Sequence, residues 1–177
     1  GKETVLEGEF RTQKQMEDAW GAKYPKYYNK LVDAWNDTEG QVLFYGEELA
    51  LTPFFRLSNG CTRDGKEVLG SDAYPYLKIV ECPWDIEDKK QIQTVMTEDM
   101  DAEITQADTA GYVLSVRVGQ ENLSGEEFRS TYGLASGCFT LQRYNGQIRI
   151  TTRGEGHGLG MSQYSADQMA KEGETYD

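Results

Sequence analysis

Two hydrophobic periods alternate along this chain. In "RTQKQMEDAWG", Met16, Ala19 and Trp20 fall on one face at helical spacing. Thr12 stands at the cap position with Gln15 three residues on, and Gly21 closes the run, so the pattern predicts a capped helix. A second helix is predicted in "YPKYYNKLVDAWNDTEG", where Tyr28, Leu31 and Trp35 form a stripe and Gly40 follows its end. Both stripes place Trp20 and Trp35 in a core.

The period then changes to two. "QVLFYGEELALTPFF" reads as a hairpin turning at Gly46-Glu47 with Phe44 opposite Leu49, and "YPYLKIVECPW" as a further strand stopped by Pro83. Residues 85–110 are charged and weakly patterned, and are expected to form a variable connection in which "IQTVM" is an edge strand. "GYVLSVRVG" alternates cleanly. "SGEEFRSTYGL" predicts a short helix capped by Ser124, with Glu126 and Glu127 in its first turn favouring the helix dipole. In "CFTLQRYNGQIRITT", Asn145-Gly146 predicts a type I′ turn that sets Phe139, Leu141, Ile148 and Ile150 on one face of a hairpin. "SQYSADQMAKEG" predicts a last helix capped by Ser162 and ended by Gly173, with Ala166, Met169 and Ala170 on its buried side. Helices and antiparallel hairpins are interspersed without βαβ regularity, so the expected class is α+β: antiparallel β-hairpins with a few short packed helices, in one domain over residues 1–177.

Composition narrows the ligand more than the fold. A formal charge of −12 over 177 residues argues against nucleic acid and anionic lipid as partners, and leaves neutral polymers such as polysaccharides open. No apolar run reaches membrane-spanning length. The amino terminus "GKETVLEGEF" has neither the basic nor the apolar region of a signal peptide. Three cysteines (Cys61, Cys82 and Cys138) form no C-x-x-C pair and are expected as free thiols, a Cys61–Cys82 disulfide being the alternative. With one histidine, no zinc-finger spacing exists, and no metal or cofactor is expected.

That histidine sits in "RGEGHGLGMSQ", where glycines occupy positions 154, 156, 158 and 160. Alternate glycines strip one face of an extended segment, so another backbone or a ligand can approach closely. Glu155, His157 and Leu159 would point to the opposite face, and the helix after Ser162 aims its unpaired N–H groups back at the loop. The third glycine of a Rossmann fingerprint would fall on Leu159, and no Lys-Ser/Thr pair follows for a P-loop, so neither nucleotide motif is present. One histidine and one glutamate do not make a metal site. No G-x-S-x-G elbow supports a serine triad.

At this point the residues resemble a known family. "GHGLGMSQYSADQMAKEGETY" is similar to the carboxy-terminal signature of the stage II sporulation protein D and amidase-enhancer family, with Leu159 and Ser165 as mild departures from valine and glycine. "LSGEEFRSTYGLAS", "DTEGQVLFY", "FFRLSNGCT" and "PYLKIVECPWD" resemble further family segments in the family's order, although Arg56 and Leu57 stand where small hydroxyl residues are usual. The resemblance implies an extracytoplasmic protein of the cell envelope, membrane-anchored through a segment outside these residues, in endospore-forming Gram-positive bacteria. It implies lytic transglycosylase activity on the glycan strands of peptidoglycan, beside a partner amidase that strips stem peptides. In that reaction one carboxylic acid protonates the glycosidic oxygen and the 6-hydroxyl of the muramoyl residue closes an internal ring.

The family's catalytic glutamate lies in an amino-terminal Gly-Glu-Met-Pro segment. No such segment occurs here, and the expectation is a chain truncated at both ends whose acid lies upstream. By position the resemblance assigns Ser58, Asn59, Arg129, Ser136, Ser162 and Gln163 to substrate binding and His157 to a supporting catalytic role. Several have a simpler reading as well: Ser162 as a helix cap, Ser58-Asn59-Gly60 as a turn, and Arg129 as a partner of Glu126 on a helix face. Glu155 is the internal candidate for the acid. The alternatives are a non-catalytic glycan-binding or amidase-enhancing module, and a scaffold for protein contacts in a spore-engulfment complex.

Overall fold

The computed structural model describes residues 11–176, and the reading of the amino-terminal ten residues as leader-free lies outside them. The chain divides into two compact units between Phe44 and Tyr45. In the first, α1 (Gln13–Trp20) begins on the expected capping box, in which Thr12 accepts from the Gln15 backbone at 3.3 Å and Gln15 returns a bond to the Thr12 N–H at 2.7 Å. A 3₁₀ turn leads into α2 (Tyr24–Asp37). The stripe expected to be core is not enclosed: Leu31 is exposed and Trp35 is 72% exposed, while Trp20 stacks on Tyr24 and meets Tyr27 edge-on at 5.7 Å. Helical spacing records one apolar face, and these aromatics satisfy it mainly by stacking on one another.

The second unit is α+β. After the short strands β1 (Phe44–Tyr45) and β2 (Glu48–Leu49), paired about Gly46, comes β3 (Phe54–Phe55), then α3 (Gly65–Leu69) and a 3₁₀ turn over Pro83–Glu87. Phe44 and Leu49 are both exposed. The strand expected over "YPYLKIVECPW" does not form. Thr62 occupies its backbone instead: its N–H donates to the Val80 carbonyl, its hydroxyl donates to the Lys78 carbonyl at 2.7 Å, and the same hydroxyl accepts from Val80 N–H. Only Cys61 and Glu81 form a bridge, which puts Cys82 on the other face, and all three cysteines are free thiols.

Residues 85–110, expected as a variable connection, carry regular structure. β4 (Ile92–Glu98) is the edge of the sheet β4-β9-β8, as the alternation of "IQTVM" suggests, and β5 (Ala102–Ala107) pairs with β6 (Val113–Val118). β7 (Glu121–Ser124) completes that second sheet and runs into α4 (Gly125–Thr131), where Ser124 and Glu127 form a reciprocal cap. β8 (Phe139–Tyr144) and β9 (Gln147–Arg153) are the expected hairpin, with φ of 51° at Asn145 and 72° at Gly146. Ile150 sits opposite Val95 on one side and Leu141 on the other. Val113, Val116, Phe128, Leu134, Phe139, Ile148 and Ile150 make one core, in which the rings of Phe128 and Phe139 stack at 5.2 Å.

β9 delivers the chain to the glycine loop, and β10 (Met161–Ser162) returns it beside β3 before α5 (Gln163–Glu172) begins. α5 is capped by Ser162 and ends on Gly173 at φ 98° as expected, but its buried face is not the expected one. Met169 is exposed and Ala170 lies at the surface, whereas Ser165 is buried because its hydroxyl serves a carboxylate in the interior. Among the described residues no helix is long and apolar enough to cross a membrane.

Candidate functional site at the glycine–histidine corner

The four alternate glycines have positive φ, between 79° and 114°, and each presses its bare Cα against another segment. A Cβ on Gly154 would lie 2.6 Å from the Leu57 carbonyl oxygen, and one on Gly156 would lie 2.8 Å from Phe55 Cβ. Side chains at Gly158 and Gly160 would overlap the Tyr112 ring and the Pro53 carbonyl. The neighbours are therefore protein, and the loop is bonded to them throughout. Leu57 and Glu155 exchange both backbone hydrogen bonds at 2.8–2.9 Å, Met161 N–H donates to Pro53, Gly156 N–H donates to Ala135, and Gly154 N–H donates to the Gln91 carbonyl.

Beneath this corner lies Asp85, fully buried. Its carboxylate accepts from Ser58 N–H at 2.6 Å, from the Ser162 hydroxyl at 2.7 Å and from the Ser165 hydroxyl at 2.6 Å. One side chain thus joins the segment after β3, the 3₁₀ turn and the start of α5. A buried carboxylate is tolerated when its lone pairs are met in this way. Residue-by-residue transfer passed over Asp85, although it is the last residue of "PYLKIVECPWD" and so was visible in that segment.

A second buried polar group is the pair Arg63–Asp108, 2.5 Å apart. Arg63 also donates to the His157 carbonyl at 2.9 Å and lies 4.8 Å from the centre of the Tyr112 ring, while Asp108 accepts from Tyr112 N–H at 2.8 Å. The backbone of His157 is fixed from below. Its ring is half-buried, edge-on to Phe55 at 5.8 Å. Nδ1 accepts from Leu159 N–H at 3.1 Å within the loop, and the edge contact with Phe55 sets the ring against β3. Burial pushes the imidazole pKa below its ordinary 6.5, with Arg129 and Arg63 acting in the same sense and Glu126 and the Phe54 backbone against it.

The other candidate residues divide by what holds them. Ser58 and Ser136 are fully buried and each hydroxyl accepts a backbone N–H two residues on, from Gly60 at 3.1 Å and from Cys138 at 3.0 Å. The Asn59 carboxamide donates to the Ala110 carbonyl at 2.7 Å and accepts from Cys61 N–H. Ser162 caps α5 and serves Asp85. Arg129 donates to the Leu134 and Ala135 carbonyls and pairs with Glu126 at 3.0 Å. Gln163 is exposed at the first position of α5. Ser58, Ser162 and His157 come together at the corner, Ser136 bridges to Gly156 beside them, and Arg129 reaches the corner through Ala135. Next to it opens a shallow cavity of about 440 Å³, lined by Lys89, Lys90, Gln93, Arg129, Leu134, Ala135 and Glu155. No group of three metal-ligating side chains occurs among the described residues.

The corner generates two expectations. Asp85→Asn keeps the shape but confronts Ser58 N–H and two hydroxyls with one acceptor fewer, and it should cost about 1–3 kcal/mol in denaturant unfolding. An unchanged midpoint would contradict the assignment. His157 is the second case. With its folded pKa depressed, its contribution is fully present above the unfolded value of 6.5 and is lost as pH falls through the folded value. Unfolding free energy should therefore decline as pH drops below about 6.5, and this component of the decline should be absent in His157→Gln.

No protein-family model matches the chain. Stage II sporulation protein D of Bacillus amyloliquefaciens is 32% identical over 94% of this chain and 52% of its own length. The Bacillus subtilis protein of the same name is 33% identical over 95% of this chain and 53% of its own. An uncharacterized protein of Brachyspira hyodysenteriae is 26% identical over 84% of the chain. The chain thus spans about half the length of the curated relatives it matches, and over nearly all of its own length it is homologous to stage II sporulation protein D.

Proposed function

We propose that this chain acts in sporulation, as the glycan-holding body of a cell-wall protein that cleaves peptidoglycan strands by lytic transglycosylation. The observation that carries the reading is the cavity beside the His157 corner, open to solvent and floored by a rigid backbone junction, in a chain homologous to stage II sporulation protein D. An extended polymer suits an open site better than an enclosed one, and the charge of −12 suits a partner without a phosphate backbone.

In this reading the division of labour is physical. The corner supplies a cross-braced floor: Asp85 holds Ser58 and α5, Arg63–Asp108 holds the His157 carbonyl, and the imidazole packs edge-on against Phe55 of β3. Arg129, anchored by two carbonyls and Glu126, presents a fixed charge at the cavity wall. The proton for the glycosidic oxygen comes from a glutamate outside these 177 residues, as the resemblance implies, and that acid works only in a site that keeps it protonated near neutral pH. The protein works outside the membrane, in the cell envelope, with an amidase as its partner. A glycan-binding or amidase-enhancing module without its own chemistry is the second reading, favoured by the number of candidate side chains already engaged within the protein, Ser58, Asn59, Ser136 and Ser162 among them.

Digestion of peptide-stripped glycan strands, read by mass spectrometry for anhydro-muramoyl ends, separates the readings. The expected result is binding without cleavage for residues 1–177 and cleavage once the protein is extended upstream. Anhydro ends from residues 1–177 alone would overturn the upstream acid and turn attention to Glu155. Binding without cleavage by the full-length protein would leave the non-catalytic module.

A further inference from the structure

The charges around the cavity run against those of the rest of the chain. The protein carries a net −12, yet the cavity wall holds Lys89, Lys90 and Arg129 against one carboxylate, Glu155. Nearby acids are already engaged: Asp88 faces Arg56 at 3.9 Å and Glu126 faces Arg129 at 3.0 Å. Arg129 uses three of its five donors on Leu134, Ala135 and Glu126, so its position is set while two N–H groups remain. Lys90 and Glu155 stand 3.8 Å apart, beyond hydrogen-bond distance, and one oxygen of Glu155 is buried without a hydrogen-bond partner among the described residues.

We propose that this cavity is a carboxylate subsite. Lys89, Lys90 and Arg129 receive an anionic group carried on the glycan, and Glu155 yields Lys90 to it. This rests on the glycan reading above. In peptidoglycan the carboxylate has two sources, the lactyl group of a peptide-stripped muramoyl residue and the acidic residues of an attached stem peptide. Neither is present in chitin-type oligosaccharides, which share the sugar backbone.

Calorimetric titration of the 177-residue chain with three ligands of equal sugar length tests this: a chito-oligosaccharide, a peptide-stripped peptidoglycan fragment and a peptide-bearing one. A carboxylate ligand is expected to bind about tenfold more tightly than the neutral one, a difference of about 1.4 kcal/mol, and that margin should shrink with added salt. The double variant Lys89→Gln, Lys90→Gln should remove the margin, bringing the carboxylate ligands down to the affinity the same variant has for the chito-oligosaccharide. Glu155→Gln should move the other way and tighten carboxylate binding severalfold by freeing Lys90, a gain that misfolding cannot mimic. Which fragment holds the margin identifies the source of the carboxylate. Equal binding of all three ligands, or a margin indifferent to the lysines, overturns the subsite while the glycan reading stands. If no ligand binds, the glycan reading falls and the subsite with it.

Discussion

The structure turns on how closely one backbone approaches another at residues 154–160. A strand leaving the hairpin core has to reverse beside β3 and start a helix after the nine residues 154–162. It does so by laying bare Cα atoms against Pro53, Phe55, Leu57 and the face of Tyr112. Positive φ at four alternate positions makes the reversal possible, and the missing side chains make the contact possible. Everything attributed to the site follows from that contact. It brings Ser162 and Ser165 within reach of Asp85, presents the His157 carbonyl to Arg63, and places Glu155 on the wall of the cavity.

Packing alone would leave such a corner free to slide. The polar groups around it prevent that. A carboxylate with three donors and an ion pair that also holds a carbonyl are satisfied in one arrangement only, and a shifted loop would strand them in a low-dielectric interior. Their contribution is more to uniqueness than to net stability, because desolvation offsets much of the attraction. Tyr112 shows the coupling. Its ring supports Gly158 and lies against Arg63, its hydroxyl accepts from Asn59 N–H, and burial drives its phenol far above the usual tyrosine range. His157, whose Nδ1 accepts from Leu159 N–H and whose ring meets Phe55 edge-on, belongs to the same framework.

What could be read from the sequence was what local chemistry decides. The capping box at Thr12, the Ser124 cap, the Asn145-Gly146 turn and the Gly173 terminator depend on a few consecutive residues, and each is present. The close approach of backbone to the glycine fence was legible too, since alternate glycines serve little else. Burial was less legible. Tyr28, Leu31 and Trp35 share a helical face, yet Leu31 and Trp35 stay exposed, and α5 turns Ser165 inward rather than Met169. The second case has a reason in Asp85, which needs hydroxyls and is 77 and 80 residues away in sequence from the two that serve it. The strand expected before Pro83 failed for a similar reason, because Thr62 captured its backbone from a distance. For the candidate site, resemblance pointed to residues several of which the fold gathers at one corner, but it could not tell side chains bonded inward, such as Ser58 and Asn59, from those lining the cavity, such as Arg129.

The central claim is that the glycines at the corner exist for contact between backbones, and a pair of substitutions separates that from conformational freedom alone. Gly133 and Gly158 both have positive φ, 59° and 79°, but only Gly158 has atoms in the way of a side chain. Denaturant unfolding of Gly133→Ala and Gly158→Ala should show a loss of about 1 kcal/mol for the first and about 3 kcal/mol or more for the second. Equal losses would mean that the corner is loose enough to admit a side chain, and the account of the site as a rigid floor would be wrong.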